Sequence, residues 1–189
     1  MSEQNDQSLS GHFLIAMPAM PDPRFERSVI YMCAHSPSLT MGIVVNKVLD
    51  NLSFTDILEQ FEIEGETFGD ELRIHFGGPV ETSRGFVLHS ADYKQDDTLV
   101  VDDQVALTTS INVLRHIAAG KGPRKYLLAL GCAGWAPGQL DTEIQSNGWL
   151  HAPADLDIIY DTANTNKWNR AVSNLGFDIG KLSNEAGHA

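Results

Sequence analysis

The run Tyr126-Leu127-Leu128-Ala129-Leu130-Gly131-Cys132 reads as a central strand by its apolar density. It then changes character: Ala133-Gly134-Trp135-Ala136-Pro137-Gly138-Gln139-Leu140 brings small residues, one large aromatic and a helix start. This pattern predicts a strand–turn–helix corner, where backbone N–H groups and short side chains face a common cavity. Elsewhere, 13–17, 28–34 and 42–45 read as strands, the last two joined as a hairpin by His35-Ser36-Pro37-Ser38. Two further strands, 72–76 and 86–89, flank Gly77-Gly78-Pro79-Val80, and 100–109 continues the β-rich middle with a break at Asp102-Asp103. Trp149-Leu150 and 156–160 are short strand-like pieces.

Helical periodicity enters singly between these strands. Ser53 with Asp56 three residues on predicts a capped helix over 53–61, with Phe54, Ile57, Leu58 and Phe61 on one face. Ser110 is placed to cap a helix over 110–119 whose Ile111, Leu114 and Ile117 share a face, and Gly120 stops it. The segment 138–146 is helical with Leu140 and Ile144 inward. Thr165 is expected to cap a last helix over 166–175, striped by Trp168, Ala171, Val172 and Leu175 and ended by Gly176. Residues 62–71 read as a loose, exposed acidic segment, and the polar residues 1–10 as a disordered tail before a single domain over 11–189. Without regular strand–helix–strand alternation, the pattern favours an α+β fold.

Composition narrows the function classes. The 189 residues are 42% hydrophobic and 20% charged, as in an ordinary globular domain. No apolar run approaches a membrane span, and the first residues carry neither a basic patch nor an apolar leader, so a cytoplasmic location without membrane association is expected. Thirteen basic against 25 acidic residues give a net charge of −12, which opposes phosphate backbones; direct, specific nucleic-acid binding is not expected. Two small basic groups, Arg24 with Arg27 and Lys121 with Arg124 and Lys125, read as solvated surface or helix-end charges. Cys33 and Cys132 have no zinc-like spacing, so no metal is expected, and both end strand-like runs as small hydrophobes do. No dinucleotide fingerprint, phosphate loop, nucleophile elbow or zinc-protease motif is present, and no cofactor is expected.

Candidate site residues each carry two readings. Cys132 stands beside glycines at the expected corner, either as a buried small side chain or at the mouth of a cleft. Trp135 is the one tryptophan with a claim on that cleft, Trp149 and Trp168 reading as core anchors. Gln139 and Glu143, four apart, share a helix face beside it, suited to a polar ligand or to solvent. His35 and His89 end strands, as acid–base groups or as polar termini. Asn46 and Lys47 follow a strand and either enter the opening or form an exposed turn. Gly77-Gly78-Pro79 is a tight turn or, with Arg84 near in sequence, an anion-binding nest of backbone N–H groups.

Taken together, Gly11-His12-Phe13-Leu14-Ile15-Ala16-Met17-Pro18, Asp22-Pro23-Arg24-Phe25, Ser28-Val29-Ile30-Tyr31, Met41-Gly42-Ile43-Val44-Val45-Asn46-Lys47, Gly77-Gly78-Pro79-Val80, Arg84-Gly85-Phe86-Val87-Leu88-His89, Leu130-Gly131-Cys132-Ala133-Gly134-Trp135, Pro137-Gly138-Gln139-Leu140, Asn147-Gly148-Trp149-Leu150 and Ala186-Gly187-His188-Ala189 closely resemble the YqgE/AlgH family of bacterial proteins. The resemblance implies a bifurcated, mostly antiparallel sheet folded into a pseudo-barrel with flanking helices. It implies no settled function, although one branch is named for involvement in regulating alginate production. Many members carry Tyr at the position of Cys132 and Glu at that of Asp141, which argues against Cys132 as a family-wide nucleophile. Two function classes follow. One is a regulatory accessory protein that binds a small molecule or a protein partner. The other is a small hydrolase-like enzyme with a cleft at Gly131–Gly138, using His35 or His89 with Cys132 or a water.

Overall fold

Strand β9 (Tyr126–Trp135) organises the sheet, because it is flanked along its whole length and its neighbour changes halfway. The computed structural model describes residues 8–65 and 72–176. Along one edge, β9 pairs antiparallel with β6 (Val80–Ser90). On the other edge, β5 (Arg73–Phe76) runs parallel to it from Leu128 to Leu130, and β3 (Thr40–Val44) pairs antiparallel from Ala133 to Trp135. The sheet bifurcates between these contacts, at Gly131. From β3 it continues through β2 (Val29–His35), β1 (His12–Ala16) and β10 (Trp149–Pro153). From β6 it continues to β8 (Val105–Thr108) and β7 (Leu99–Val100), while β4 (Val48–Ser53) pairs only β5. β5 with β9 is the only parallel pair among the described residues, and the antiparallel remainder curls into a half-barrel.

Two glycines permit the fork. Gly131 has φ +76°, and a Cβ built there would stand 2.3 Å from the Gly78 carbonyl oxygen. Gly78 has φ +150°, and its Cβ would meet the Cys132 carbonyl carbon at 2.1 Å. The Gly77-Gly78 segment therefore crosses β9 backbone against backbone, which no side chain allows. The Gly77 N–H donates to Leu130 O at 2.8 Å, and Gly77 O accepts from Val44 N at 2.9 Å. Its N–H is spent on the sheet, so the anion-nest reading gives way to a backbone crossing.

Among the described residues five helices flank the sheet: α1 (Phe54–Gln60), α2 (Ile111–Ala118), α3 (Gln139–Gln145), α4 (Leu156–Tyr160) and α5 (Asn164–Asn174). Strand alternation sorts the core. Phe13 and Ile15 point with Leu127 and Ala129 towards Ile158, Ile159, Trp168 and Val172 of α4 and α5. Leu14 and Ala16 take the opposite face with Leu140 of α3 and Trp149. Leu128, Val87 and Ile74 pack under α1 and α2.

Ser53 and Asp56 form the expected capping box on α1. Ser110 precedes α2 but makes no side-chain cap bond, and its hydroxyl is buried without a partner. Three expectations are corrected. Residues 156–160 form a helix, because the Asp155 side chain accepts from Asp157 N and starts a turn that buries Ile158 and Ile159. The last helix begins at Asn164 rather than after Thr165, with Ala163 at the cap. Leu9 and Ser10, expected outside the domain, are held by the fold: Leu9 is buried, its N–H donates to His35 Nδ1 at 2.9 Å, and Ser10 Oγ accepts from His35 N at 3.1 Å. Of the acidic segment, 62–65 is described and mostly exposed, while 66–71 lies outside the described residues, as do 1–7 and the motif at 186–189. Among the described residues no helix is long and apolar enough to cross a membrane.

Candidate functional site

The corner after β9 closes around one carboxylate. Gly138, with φ +76°, turns the chain into α3. The Gln139 side chain reaches back, accepting from Ala136 N at 3.0 Å, and donates its amide N–H to Glu143 Oε1 at 3.1 Å. Glu143 Oε2 accepts the indole N–H of Trp135 at 2.8 Å and that of Trp149, on the edge strand β10, at 3.0 Å. The two indoles meet edge to face, and Phe25 packs against Trp149 with ring centroids 5.6 Å apart. Phe25 ends a 3-10 turn, Pro23–Phe25, started by Asp22.

These groups line a cleft of about 330 Å³ between the 3-10 turn, the Pro79-Val80 segment, the end of β9 and α3. Its walls are mostly apolar: Met20, Phe25, Val80, Trp135 and Trp149. At the rim, Arg24 and Asp22 form an ion pair at 2.8 Å, and the Arg24 hydrogen bonds hold the Asp22 carboxyl below its ordinary range. The i, i+4 spacing of Gln139 and Glu143 identified the polar side of this cleft, and Trp135 is its wall. Sequence reading missed Trp149 and the Met20–Phe25 segment, which only strand pairing brings to α3. The adjacent aromatics Phe25 and Trp149 carried no spacing signal.

The other candidates are held elsewhere. Cys132 is buried, and burial pushes its thiol pKa up. Cys33 behaves the same way, with the same cause. His89 is wholly buried between Ser90 O, 2.8 Å from Nδ1, and Thr108 Oγ1, 2.7 Å from Nε2; burial lowers its pKa. His35 ties down Leu9. Asn46 bridges two backbone groups, accepting from Val29 N at 2.9 Å and donating to Arg27 O at 2.8 Å. Lys47 donates to Arg24 O at 3.3 Å. Arg84 is exposed, paired with Glu81 at 3.3 Å and lying over Phe86. Neither histidine hydrogen-bonds Cys132, so the structure does not assemble the thiol–imidazole pair. Among the described residues no group of three or more His, Cys, Asp or Glu is placed to hold a metal ion.

Known proteins resemble the chain over nearly its whole length. The AlgH-like family model matches residues 13–180. The chain belongs to the YqgE/AlgH family. UPF0301 proteins of Rhodospirillum rubrum and Bradyrhizobium diazoefficiens are 51% and 53% identical to it, over 99% and 96% of this chain and 97% and 88% of their own. The solution structure of the AlgH protein from Pseudomonas aeruginosa superposes with a TM-score of 0.79 at 40% identity, covering 100% of both chains. The crystal structure of protein DIP2367 from Corynebacterium diphtheriae shares the fold at 24% identity, with a TM-score of 0.72 over 96% of this chain and 92% of that one.

Within this YqgE/AlgH chain, the cleft offers apolar surface and an incompletely used acceptor. An ionised carboxylate has about four lone-pair sites. Trp135, Trp149 and Gln139 occupy three at Glu143, so one further donor can be accepted. The Asp22, Thr142 and Ser146 side chains also line the cleft.

Proposed function

We propose that this YqgE/AlgH protein is a regulatory accessory protein that acts by binding, with the Trp135–Glu143 cleft as its ligand site. The ligand is a small molecule or a peptide segment with an apolar body and a hydrogen-bond donor. The observation that carries this reading is the Glu143 carboxylate, fixed by two indole N–H groups and one amide at the side of an apolar cleft. A preorganised acceptor beside aromatic walls is the usual make-up of a small-ligand site. The net charge of −12 and the absence of a basic face at this cleft favour a ligand other than nucleic acid. The hydrolase reading has less support, because Cys132 is buried with a raised pKa and has no imidazole partner.

Thermal-shift screening of the full chain against a panel of apolar amines, amides and short peptides tests the proposal. A ligand bound only by the native state raises the melting temperature, by RT ln(1 + [L]/Kd) in free energy. Hits are expected to lose their shift in Trp135→Leu while that variant stays folded. Hits unaffected by Trp135→Leu, or a panel without hits, would count against the cleft.

A further inference from the structure

At the opposite end of β9 the basic residues gather. Arg73, Arg124, Lys125 and Lys167, four of the 13 lysines and arginines, line one polar cavity of about 400 Å³ between β5, the start of β9 and the first turn of α5. The single acidic residue among the described residues of its lining, Asp161, is already ion-paired with Lys125 at 2.5 Å. Among the described residues Arg73 and Lys167 have no ion pair. Arg124 has none either, although its backbone N–H holds Asp92 at 3.1 Å.

Lys167 is the anomaly. It is only 3% exposed, and its ammonium donates to Val45 O at 2.7 Å and Ile159 O at 2.8 Å. An ammonium has three N–H donors, so among the described residues one is left over and no carboxylate compensates the charge. Burial pulls its pKa down to about 8. It also sits in the first turn of α5, where the helix is partly positive and no side chain caps the free N–H groups. His75, 7% exposed beside it, stays neutral, because burial and the Lys167 charge lower its pKa to about 4. A buried cation is thus set at the positive end of a helix, with two arginines at the opening that form no ion pair among the described residues.

We propose that this cavity is a binding site for a small phosphomonoester. The phosphoryl group sits against Lys167 and the first N–H groups of α5, and is clasped by Arg73 and Arg124. A dianion with three terminal oxygens answers several basic side chains on one cavity better than a carboxylate with one charge and two oxygens, and guanidinium forks suit phosphoryl oxygens. The volume lies within the roughly 300–1,000 Å³ of small-ligand pockets, leaving room for the organic part. A polyanion is disfavoured by the field of the whole chain, whereas a small ester meets mainly the local charge. This site is separate from the Trp135 cleft and does not depend on it.

The test is a titration of the isotope-labelled full chain, followed by amide NMR at constant ionic strength, with ribose 5-phosphate, inorganic phosphate and sulfate as probes. Ribose 5-phosphate is expected to give saturable shifts at 73–75, 124–126 and 162–167, while the Trp135 and Trp149 indole signals stay still. Inorganic phosphate and sulfate are expected to bind more weakly at the same amides. The exposed pair Arg73→Ala/Arg124→Ala should weaken binding at least tenfold with an unchanged melting temperature, and Lys167→Met should abolish it. If Lys167→Met fails to fold, the double arginine variant decides. Non-saturating shifts, or affinity unchanged in that variant, would overturn the site. Phosphate binding as tightly as the ester would overturn the ester assignment.

Discussion

Trp135 and Trp149 face each other edge on, ring centroids 6.2 Å apart at 79°, and both donate their indole N–H to the same oxygen of Glu143. One carboxylate thereby joins the end of β9, the edge strand β10 and α3. The contact serves structure as well as the proposed ligand site, so the two roles must be separated by variants with different effects on stability.

Glu143→Ala leaves the buried Trp149 N–H without its acceptor. The cost of such an orphaned donor is about 1–3 kcal/mol. Glu143→Gln keeps an acceptor oxygen and should recover part of that loss. Gln139→Ala, at an exposed position, should stay within about 0.5 kcal/mol of the parent. Urea denaturation of the three variants checks the order; equal stability of Glu143→Ala and parent would show that the carboxylate carries no structural bond.

The crossing at Gly78 and Gly131 admits no side chain. Gly131→Ala and Gly78→Ala each combine overpacking against backbone with a positive φ, and are expected to cost about 3 kcal/mol or more. Gly85→Ala, with nothing within 4 Å of the added carbon, should be neutral. Melting temperatures of the three proteins decide; a stable Gly78→Ala would mean that the strands do not cross as described.

Acid should weaken the fold through His75. Its folded pKa, about 4, lies below the ordinary 6.5, so between these values the unfolded chain binds the proton and the folded one does not. The stability present above pH 6.5 is lost as the pH falls through 4, by about 3 kcal/mol from this group. His89, lowered by burial, acts in the same direction. His75→Gln should flatten the stability profile between pH 7 and 4, measured by urea denaturation at each pH. An unchanged slope would place the proton uptake elsewhere.

The general course of this fold is written in local pattern. The apolar run at 126–132 is the strand that every neighbour of the fork uses, and Ser53 with Asp56 starts α1 as the spacing requires. Residues 156–160 were misread because a short apolar run with two isoleucines has no periodicity to separate strand from helix. The deciding group was the Asp155 cap just outside it. β4 was missed because Val48-Leu49-Asp50-Asn51-Leu52-Ser53 mixes polar and apolar residues, and its pairing with β5 is irregular. At the cleft, Gln139 and Glu143 announced themselves by helical spacing, whereas Trp149 and Phe25 arrive through β10 and the 3-10 turn, contacts distant in the chain. Arg124 and Lys125 looked like solvated charges, because Arg73 and Lys167 join them only in three dimensions.

The most direct measurement uses the three indole N–H signals. Trp135 and Trp149 report on Glu143, whereas Trp168 donates to Ala16 O inside the core. In an NMR screen of small apolar amines and amides against the full chain, binding at the cleft predicts saturable shifts of the Trp135 and Trp149 indole signals, with Trp168 unmoved. A screen in which no compound moves the first two, or in which all three move together, would contradict the cleft as the ligand site.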